Sequence, residues 1–298
     1  ISTDNSSFFG ANAGQNSVGV ENTFVGYLTG SNNTGTRNTL IGARAGQDNT
    51  SGQKNTAVGW AAGRRITTGQ ANTSLGDSSG YVNTTGSNNV NIGVHAGYLN
   101  ATGSSNVNIG TWAGDQNTSG VDNTIVGTMA GFNNLGSRNV FIGHDSGKQE
   151  LGSDKLYIDN SDTTSPLIHG DFNTDEVAIN GKLGIGTNSF IDGADTYSLS
   201  VNGKVRANSV KVYTDWADYV FEDNYKLSTL EEVENHIKDK GHLKDIPSAK
   251  EVEENGIELG EMNKLLLQKV EELTLYLIAQ NKEINDLKNK VEAIKTNK

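Results

Sequence analysis

The side chains that could do chemistry in this 298-residue chain are few and scattered. One pentapeptide, Gly76-Asp77-Ser78-Ser79-Gly80, satisfies G-x-S-x-G, the elbow that presents a nucleophilic serine in hydrolases. It is also the fifth copy of a G-x-x-[Ala/Ser/Thr]-G step and lacks a strand-to-helix context, so it reads as scaffold. The histidines (His95, His144, His169, His236 and His242) share no ligand spacing such as H-x-x-x-H. Aspartates in the repeats are sporadic, unlike a calcium-binding nonapeptide solenoid. No repeat column holds the paired carboxylates that glycoside cleavage needs. The reading is non-enzymatic, with no catalytic residue, metal site or cofactor. Large aromatics at otherwise unconstrained positions remain: Trp60, Tyr81, Tyr98, Trp112 and Phe132. On a polar scaffold such rings stack on sugar rings or pack against other chains.

Those aromatics are set by a repeat. The glycine of an [Ile/Val/Leu]-Gly step falls at positions 10, 26, 42, 59, 76, 93, 110, 127 and 143, nine units at a period of 16 or 17. A second glycine follows four residues later each time, and a third precedes each next unit, from Gly19 to Gly136. An asparagine lies three residues beyond the third glycine, from Asn22 to Asn139. Another lies three before it, from Asn16 to Asn133, with Ile66 the exception. Units this short suit one coil of a β-solenoid rather than a helical pair. Alternation assigns one apolar column inward (Phe9, Val25, Ile41, Val58, Leu75, Ile92, Ile109, Val126, Ile142). Small residues at Ala13, Thr29, Ala45, Ala62, Ser79, Ala96, Ala113, Ala130 and Ser146 fill a second column. Eight steps of one strand spacing give roughly 38 Å. A threonine column (Thr23, Thr39, Thr56, Thr73, Thr124) suggests a flat ice-binding face, but Val90, Val107 and Val140 interrupt it.

Composition agrees. Glycine is about twice its usual share of roughly 7%, at 36 residues, and cysteine is absent. A secreted chain without disulfides draws stability from repeats, oligomerisation or both. The start at Ile1, without Met or an apolar leader, reads as processed or excerpted. No apolar run approaches a membrane span. Residues 1–147 carry six Lys/Arg against seven Asp/Glu, and the remainder 18 against 28, for a net charge of −11. With no basic stripe, nucleic acid is not an expected partner, nor is membrane insertion.

The motif N-[Thr/Val]-x-[Ile/Val/Leu]-G-x-x-A-G resembles the head repeat of trimeric autotransporter adhesins over residues 6–147, although the unit here is longer. That resemblance implies a β-roll in a three-chain bundle. After Gly147, "KLYIDNSDTTSPLIHGDF", "EVAINGKLGIG" and "YSLSVNGKVRANSVKVYTD" alternate apolar and polar residues around Asn-Gly and Gly-Asp turns, which predicts β-hairpins over roughly 148–213. Ser228 with Glu231, and Ser248 with Glu251, fit capping boxes that open two short helices; Gly241 and Gly256 fit their ends. From Leu259 the chain is heptad-patterned. Position a takes Asn263, Val270, Leu277, Ile284 and Val291; position d takes Leu259, Leu266, Leu273, Gln280, Leu287 and Ile294.

The block from Thr214 to Leu287, with the strands before it, is similar to C-terminal regions of tail-fibre proteins of Bacteroidota and their phages. That resemblance implies an extracellular homotrimer on a cell surface or virion (phage or injection-system tail), attached to a parent particle or appendage baseplate. It would contact a host or surface receptor such as a glycan. Some such fibres end in a chaperone that cleaves itself before Ser-Asp; here Thr214-Asp215 stands in that place without the downstream basic residues, so cleavage reads as lost.

The expected architecture is mostly β: a solenoid head (1–147), a β-rich shaft (148–213), a small helical/β junction (214–258) and a trimeric coiled coil (259–298). The function expected is attachment, as a tail fibre or surface adhesin. The alternative is a structural spacer that displays another binding domain, and a polysaccharide-degrading tailspike ranks below both. Val or Ile at a with Leu at d nominally favours two strands, against the three that the resemblance implies. Gln280 is either a register device or a tolerated polar defect. Gln280→Leu is expected to raise the melting temperature of the C-terminal helix, because a polar d residue trades stability for specificity. Sedimentation of the same variant reports whether the chain number blurs.

Overall fold

The computed structural model describes residues 5–296; the start of the chain at Ile1 and the end of the expected 259–298 coiled coil lie outside the described residues. The chain divides into two compact units, one ending at Lys204 and the other beginning at Val205.

The first unit is a solenoid. Each repeat contributes one three-residue strand: β1 (Ser7–Phe9), β2 (Thr23–Val25), β3 (Thr39–Ile41), β4 (Thr56–Val58), β5 (Thr73–Leu75), β6 (Val90–Ile92), β7 (Val107–Ile109), β8 (Thr124–Val126) and β9 (Val140–Ile142). They pair in parallel and in register, so that Val90 lies beside Val107 and Ile92 beside Ile109. The coil closes because four positions per repeat hold a positive φ. In the sixth unit these are Asn88 (60°), Gly93 (128°), His95 (57°) and Gly97 (58°). At Gly93 both conformation and space demand glycine, since a Cβ there would sit 2.6 Å from the Gly110 carbonyl oxygen. At Gly103 φ is not the reason; a Cβ would run into the Gly120 carbonyl of the next coil.

Asparagines bind one coil to the next. Asn89 Nδ2 donates to the Gly103 carbonyl at 2.8 Å, and Asn89 Oδ1 accepts the backbone N–H of Asn106 at 3.0 Å. The same pair of bonds recurs from Asn38 to Asn123, all buried. A second buried column runs through Asn33, Asn49, Asn83, Asn100, Asn117 and Asn134. In 16-residue units its member is thus two residues before the third glycine, not three.

The inward column differs from the expected one. The buried residue is the middle of each strand: Phe24, Leu40, Ala57, Ser74, Asn91, Asn108, Ile125 and Phe141. Phe9, Val25, Ile41, Val58, Leu75, Ile92, Ile109, Val126 and Ile142 stand on the opposite face with the threonine column, and Ile109 is 36% exposed. Strand side chains alternate, so a one-residue change of phase exchanges the two faces. Regularity pointed to the wrong face: the outward column is uniform, whereas the interior mixes aromatic, aliphatic and polar residues. The small column is interior as expected, with Ala45, Ala62, Ala96, Ala113 and Ala130 fully buried.

The interior balances its volume within a coil. Phe24, Leu40 and Phe141 each fill the space over the second glycine of their own repeat. In the fourth repeat the middle residue is only Ala57, and Ile66 Cδ1 takes that space instead. This accounts for the one break in the asparagine column. Two apolar clusters result, around Phe24 and Leu40 at one end and around Ile125, Phe141 and Tyr157 at the other. Between them the core is polar: Asn108 Nδ2 donates to Asn91 Oδ1 at 2.9 Å, while Asn91 Nδ2 and Asn108 Oδ1 are buried without a hydrogen-bond partner.

The sheet continues past Gly147. β10 (Lys155–Ile158) adds a tenth parallel strand beside β9, and β11 (Ile168–Asp171) and β12 (Glu176–Ile179) follow antiparallel. Two small sheets close the unit. β13 (Leu183–Ile185) pairs in parallel with β16 (Leu199–Val201), and β14 (Ile191–Asp192) forms a hairpin with β15 (Asp195–Thr196). Neither Asn180-Gly181 nor Asn202-Gly203 turns a hairpin, contrary to expectation; each simply ends a strand whose partner lies elsewhere.

The second unit contains a 3-10 turn (Asp218–Phe221), α1 (Leu230–Lys240), α2 (Ala249–Asn255) and the 38-residue α3 (Leu259–Thr296). Ser248 and Glu251 cap α2 as expected, and Gly241 ends α1 at φ 77°. The cap of α1 is Thr229 with Glu232, one residue beyond Ser228, whose carbonyl instead accepts the Tyr276 hydroxyl. Tyr219 Oη donates to Gln268 Oε1 at 2.8 Å, and Tyr225 Oη bonds Glu272. Burial first, and then that carboxylate, push the Tyr225 phenol up to about 12.

Ile125→Asp and Ile109→Asp separate the two faces. The first places a carboxylate in the closed interior and is expected to cost several kcal/mol, of the order of a buried unpaired charge. The second places its carboxylate outside the coil and is expected to cost the circular-dichroism melt far less than the first; any loss it causes is one of chain association, read from its dependence on protein concentration.

Candidate functional site

Stacking in register carries equivalent turn residues of successive coils to the same edge of the solenoid. Two turn positions matter there: the left-handed residue before the small column, and the residue after the second glycine. In the sixth, seventh and eighth repeats the former are His95, Trp112 and Met129, with φ between 57° and 58°. The latter are Tyr98, Asp115 and Phe132. With Leu99 and Gln116 they line a groove of about 490 Å³. Trp112 is 41% exposed, whereas Asp115 is only 4% exposed.

A chain of side chains leads into the groove along the same edge. Arg64 Nη1 donates to the Tyr81 hydroxyl at 2.8 Å, and its guanidinium lies 5.7 Å from the Tyr81 ring centre. Tyr81 stacks on Tyr98 at 5.1 Å, and Tyr98 on His95 at 4.4 Å and 7° between planes. His95 Nδ1 lies 3.6 Å from Asp115 Oδ2, and Gln116 Nε2 donates to Asp115 Oδ1. Burial raises the Asp115 pKa; the Gln116 bond and the nearby imidazole offset part of that rise. The lining contains no lysine or arginine.

Of the aromatics singled out in the sequence, Tyr98, Trp112 and Phe132 meet in this groove and Tyr81 leans on Tyr98 from the coil before. Trp60 does not join them. It follows Gly59 directly after the outward column, in the turn position of Tyr27 and Val94, and all three are more than two-fifths exposed. Residue type alone missed His95, Leu99, Asp115, Gln116 and Met129. Reading down the two turn columns of adjacent repeats finds His95, Asp115 and Met129, because coil stacking makes neighbours of residues 17 apart.

The other motifs have local partners. Ser78, the serine of the Gly76–Gly80 motif, is buried in a left-handed turn at φ 52° and donates to Asp77 Oδ1 at 2.8 Å. His144 lies 3.3 Å from Asp145, His169 packs on Tyr157, and His236 meets His242 edge to face. Among the described residues no group of three or more His, Asp or Glu side chains converges as a metal site would require.

Two further surfaces lack cover. One is the outward sheet face, with Ile41, Ile109 and Ile142 each more than a third exposed. The other lies on α3. Gly260, Gln268 and Glu271 face the body of the second unit and are buried. Every heptad position, Leu259, Asn263, Leu266, Val270, Leu273, Leu277, Gln280, Ile284, Leu287, Val291 and Ile294, is exposed.

The chain matches no protein-family model, no curated protein and no solved structure.

Asp115 makes the groove's cost pH-dependent. Its folded pKa lies above the ordinary carboxylate value, so the folded state holds the proton more tightly. Stability falls as pH rises through the carboxylate range, and the burial penalty is complete above it. Asp115→Asn is expected to melt higher than the parent at pH 7, with the gain disappearing below the ordinary carboxylate pKa. Thermal melts across that range check the sign.

Proposed function

We propose that this chain is a non-enzymatic extracellular fibre protein that acts as a homotrimer and attaches to a surface receptor, a glycan, through the aromatic groove. One observation carries the attachment reading. The letters that recur in every repeat build the coil, while Tyr98, Trp112 and Phe132 occupy positions that the coil leaves free, and they converge. Exposed aromatic faces above a few polar groups are the usual make-up of a small-ligand site. Such a fibre belongs on a tail or a cell surface; no helix among the described residues is long and apolar enough to cross a membrane.

The trimer rests on the two uncovered surfaces. Leu266, Val270, Leu273 and Leu277, between 49% and 64% exposed, form the a/d seam of a helix that packs its other face at home. The outward column of the solenoid offers a second apolar stripe for the same partners. A clamp at 259–296 raises the effective concentration of neighbouring solenoids without any new contact between them.

A spacer role is the second reading. It is favoured by the way Tyr81, Tyr98 and His95 use ring faces on one another.

A glycan array probed with the full chain tests attachment: specific binding lost in Trp112→Leu supports it, and silence favours the spacer. Analytical ultracentrifugation tests the assembly. The full chain is expected at three times 31.7 kDa, and a chain truncated before Leu259 at a lower state. A monomeric full chain would sink the fibre reading.

A further inference from the structure

The groove is chemically one-sided. Trp112, Tyr98, Phe132, Met129 and Leu99 give it ring faces and apolar walls. Its one carboxylate, Asp115, is nine-tenths buried, and burial has already taken most of its hydration. Its basic lining side chain is His95, whose Nδ1 lies 3.6 Å from Asp115 Oδ2; no lysine or arginine lines it, and the Arg64 guanidinium lies over Tyr81. The polar groups that could meet a neutral sugar are few, and Asp115 and Gln116 are bonded to each other. Such a site repels anions and gains little from a ring of hydroxyls. A diffuse cation gains twice, from the aromatic quadrupoles and from a carboxylate that water screens poorly.

We propose that this groove takes an alkylammonium group carried by the receptor, with the exposed face of Trp112 against the cation and Asp115 behind it. The proposal rests on the attachment reading and narrows it to receptors that bear an ammonium. Two sources share this chemistry: a quaternary ammonium such as a choline substituent, and the protonated amine of an amino sugar. Acidic glycans are excluded as ligands of this groove on the same grounds.

Titration calorimetry of the full chain at pH 7 and fixed ionic strength tests it. The probes are choline against its uncharged isostere 3,3-dimethylbutanol, and glucosamine against N-acetylglucosamine. The charged member of at least one pair is expected to bind about tenfold or more tightly than its neutral partner, and the pair that shows the preference names the source. Asp115→Asn, which keeps an acceptor for Gln116, is expected to erase that preference. Trp112→Leu is expected to weaken every probe, and the turn tolerates leucine, since Leu28 holds the same left-handed position at φ 54°. The ammonium assignment is overturned if both pairs bind alike, if no charged probe binds, or if Asp115→Asn leaves the preference intact. A neutral glycan that binds the parent and is lost in Trp112→Leu would overturn the ammonium assignment while leaving attachment standing.

Discussion

The solenoid depends on one buried contact repeated from coil to coil. An asparagine amide donates to a glycine carbonyl, and its oxygen accepts the backbone N–H of the next asparagine. A turn as tight as this one takes backbone polar groups out of water, and each left unpaired costs about 1–3 kcal/mol. Asparagine is the residue that satisfies both kinds at once, being donor and acceptor on one short side chain. The glycines follow from it. A carbonyl can come within reach of the ladder only where the facing residue has no Cβ, as at Gly103 under Gly120.

With the backbone held this way, the interior is free to vary. Its middle column runs from Phe24 to Ala57 to Asn91 and back to Phe141 without changing the register of the sheet. What the interior must conserve is volume, coil by coil, because packed cores tolerate neither voids nor excess. Ile66 beside Ala57 is volume conserved by a second position. Asn91 with Asn108 is a partial pairing, one amide bond that leaves Asn91 Nδ2 and Asn108 Oδ1 unpaired. The same freedom extends to the turn residues outside, so His95, Trp112 and Asp115 could be assembled there without disturbing the ladder.

These facts explain what could be read from the sequence. Strand positions, coil period, the small interior column and the long helix were legible because each follows from a local rule that repeats: glycine at positive φ, asparagine at the ladder, a heptad along α3. The facing of the strands was not. Three residues alternate too briefly to reveal a phase, and a uniform Ile/Val column looks more like a core than a mixed one does. The Asn-Gly steps at 180 and 202 misled for a related reason. The dipeptide favours a turn locally, but whether the next strand returns beside the last is decided by pairing that no local signal contains. Of the groove, the aromatics were visible by type, whereas the buried Asp115 became meaningful only beside His95 and Gln116.

The outward column and the turn edge then differ in a way that bears on their use. A column that is Val, Ile or Leu at each coil from Val25 to Ile142 presents a similar apolar shape at every rung. Such a surface suits an identical or equally periodic neighbour, and it recognises poorly anything that is not periodic. The edge between Arg64 and Phe132 is the reverse: guanidinium, phenol, imidazole, indole and carboxylate follow one another with no repetition. Only an aperiodic surface can single out one small group from the many a receptor offers, because specificity is a difference between alternatives. A periodic scaffold can therefore hold both kinds of surface, a near-uniform apolar face made by the repeat and an irregular edge that the repeat leaves free.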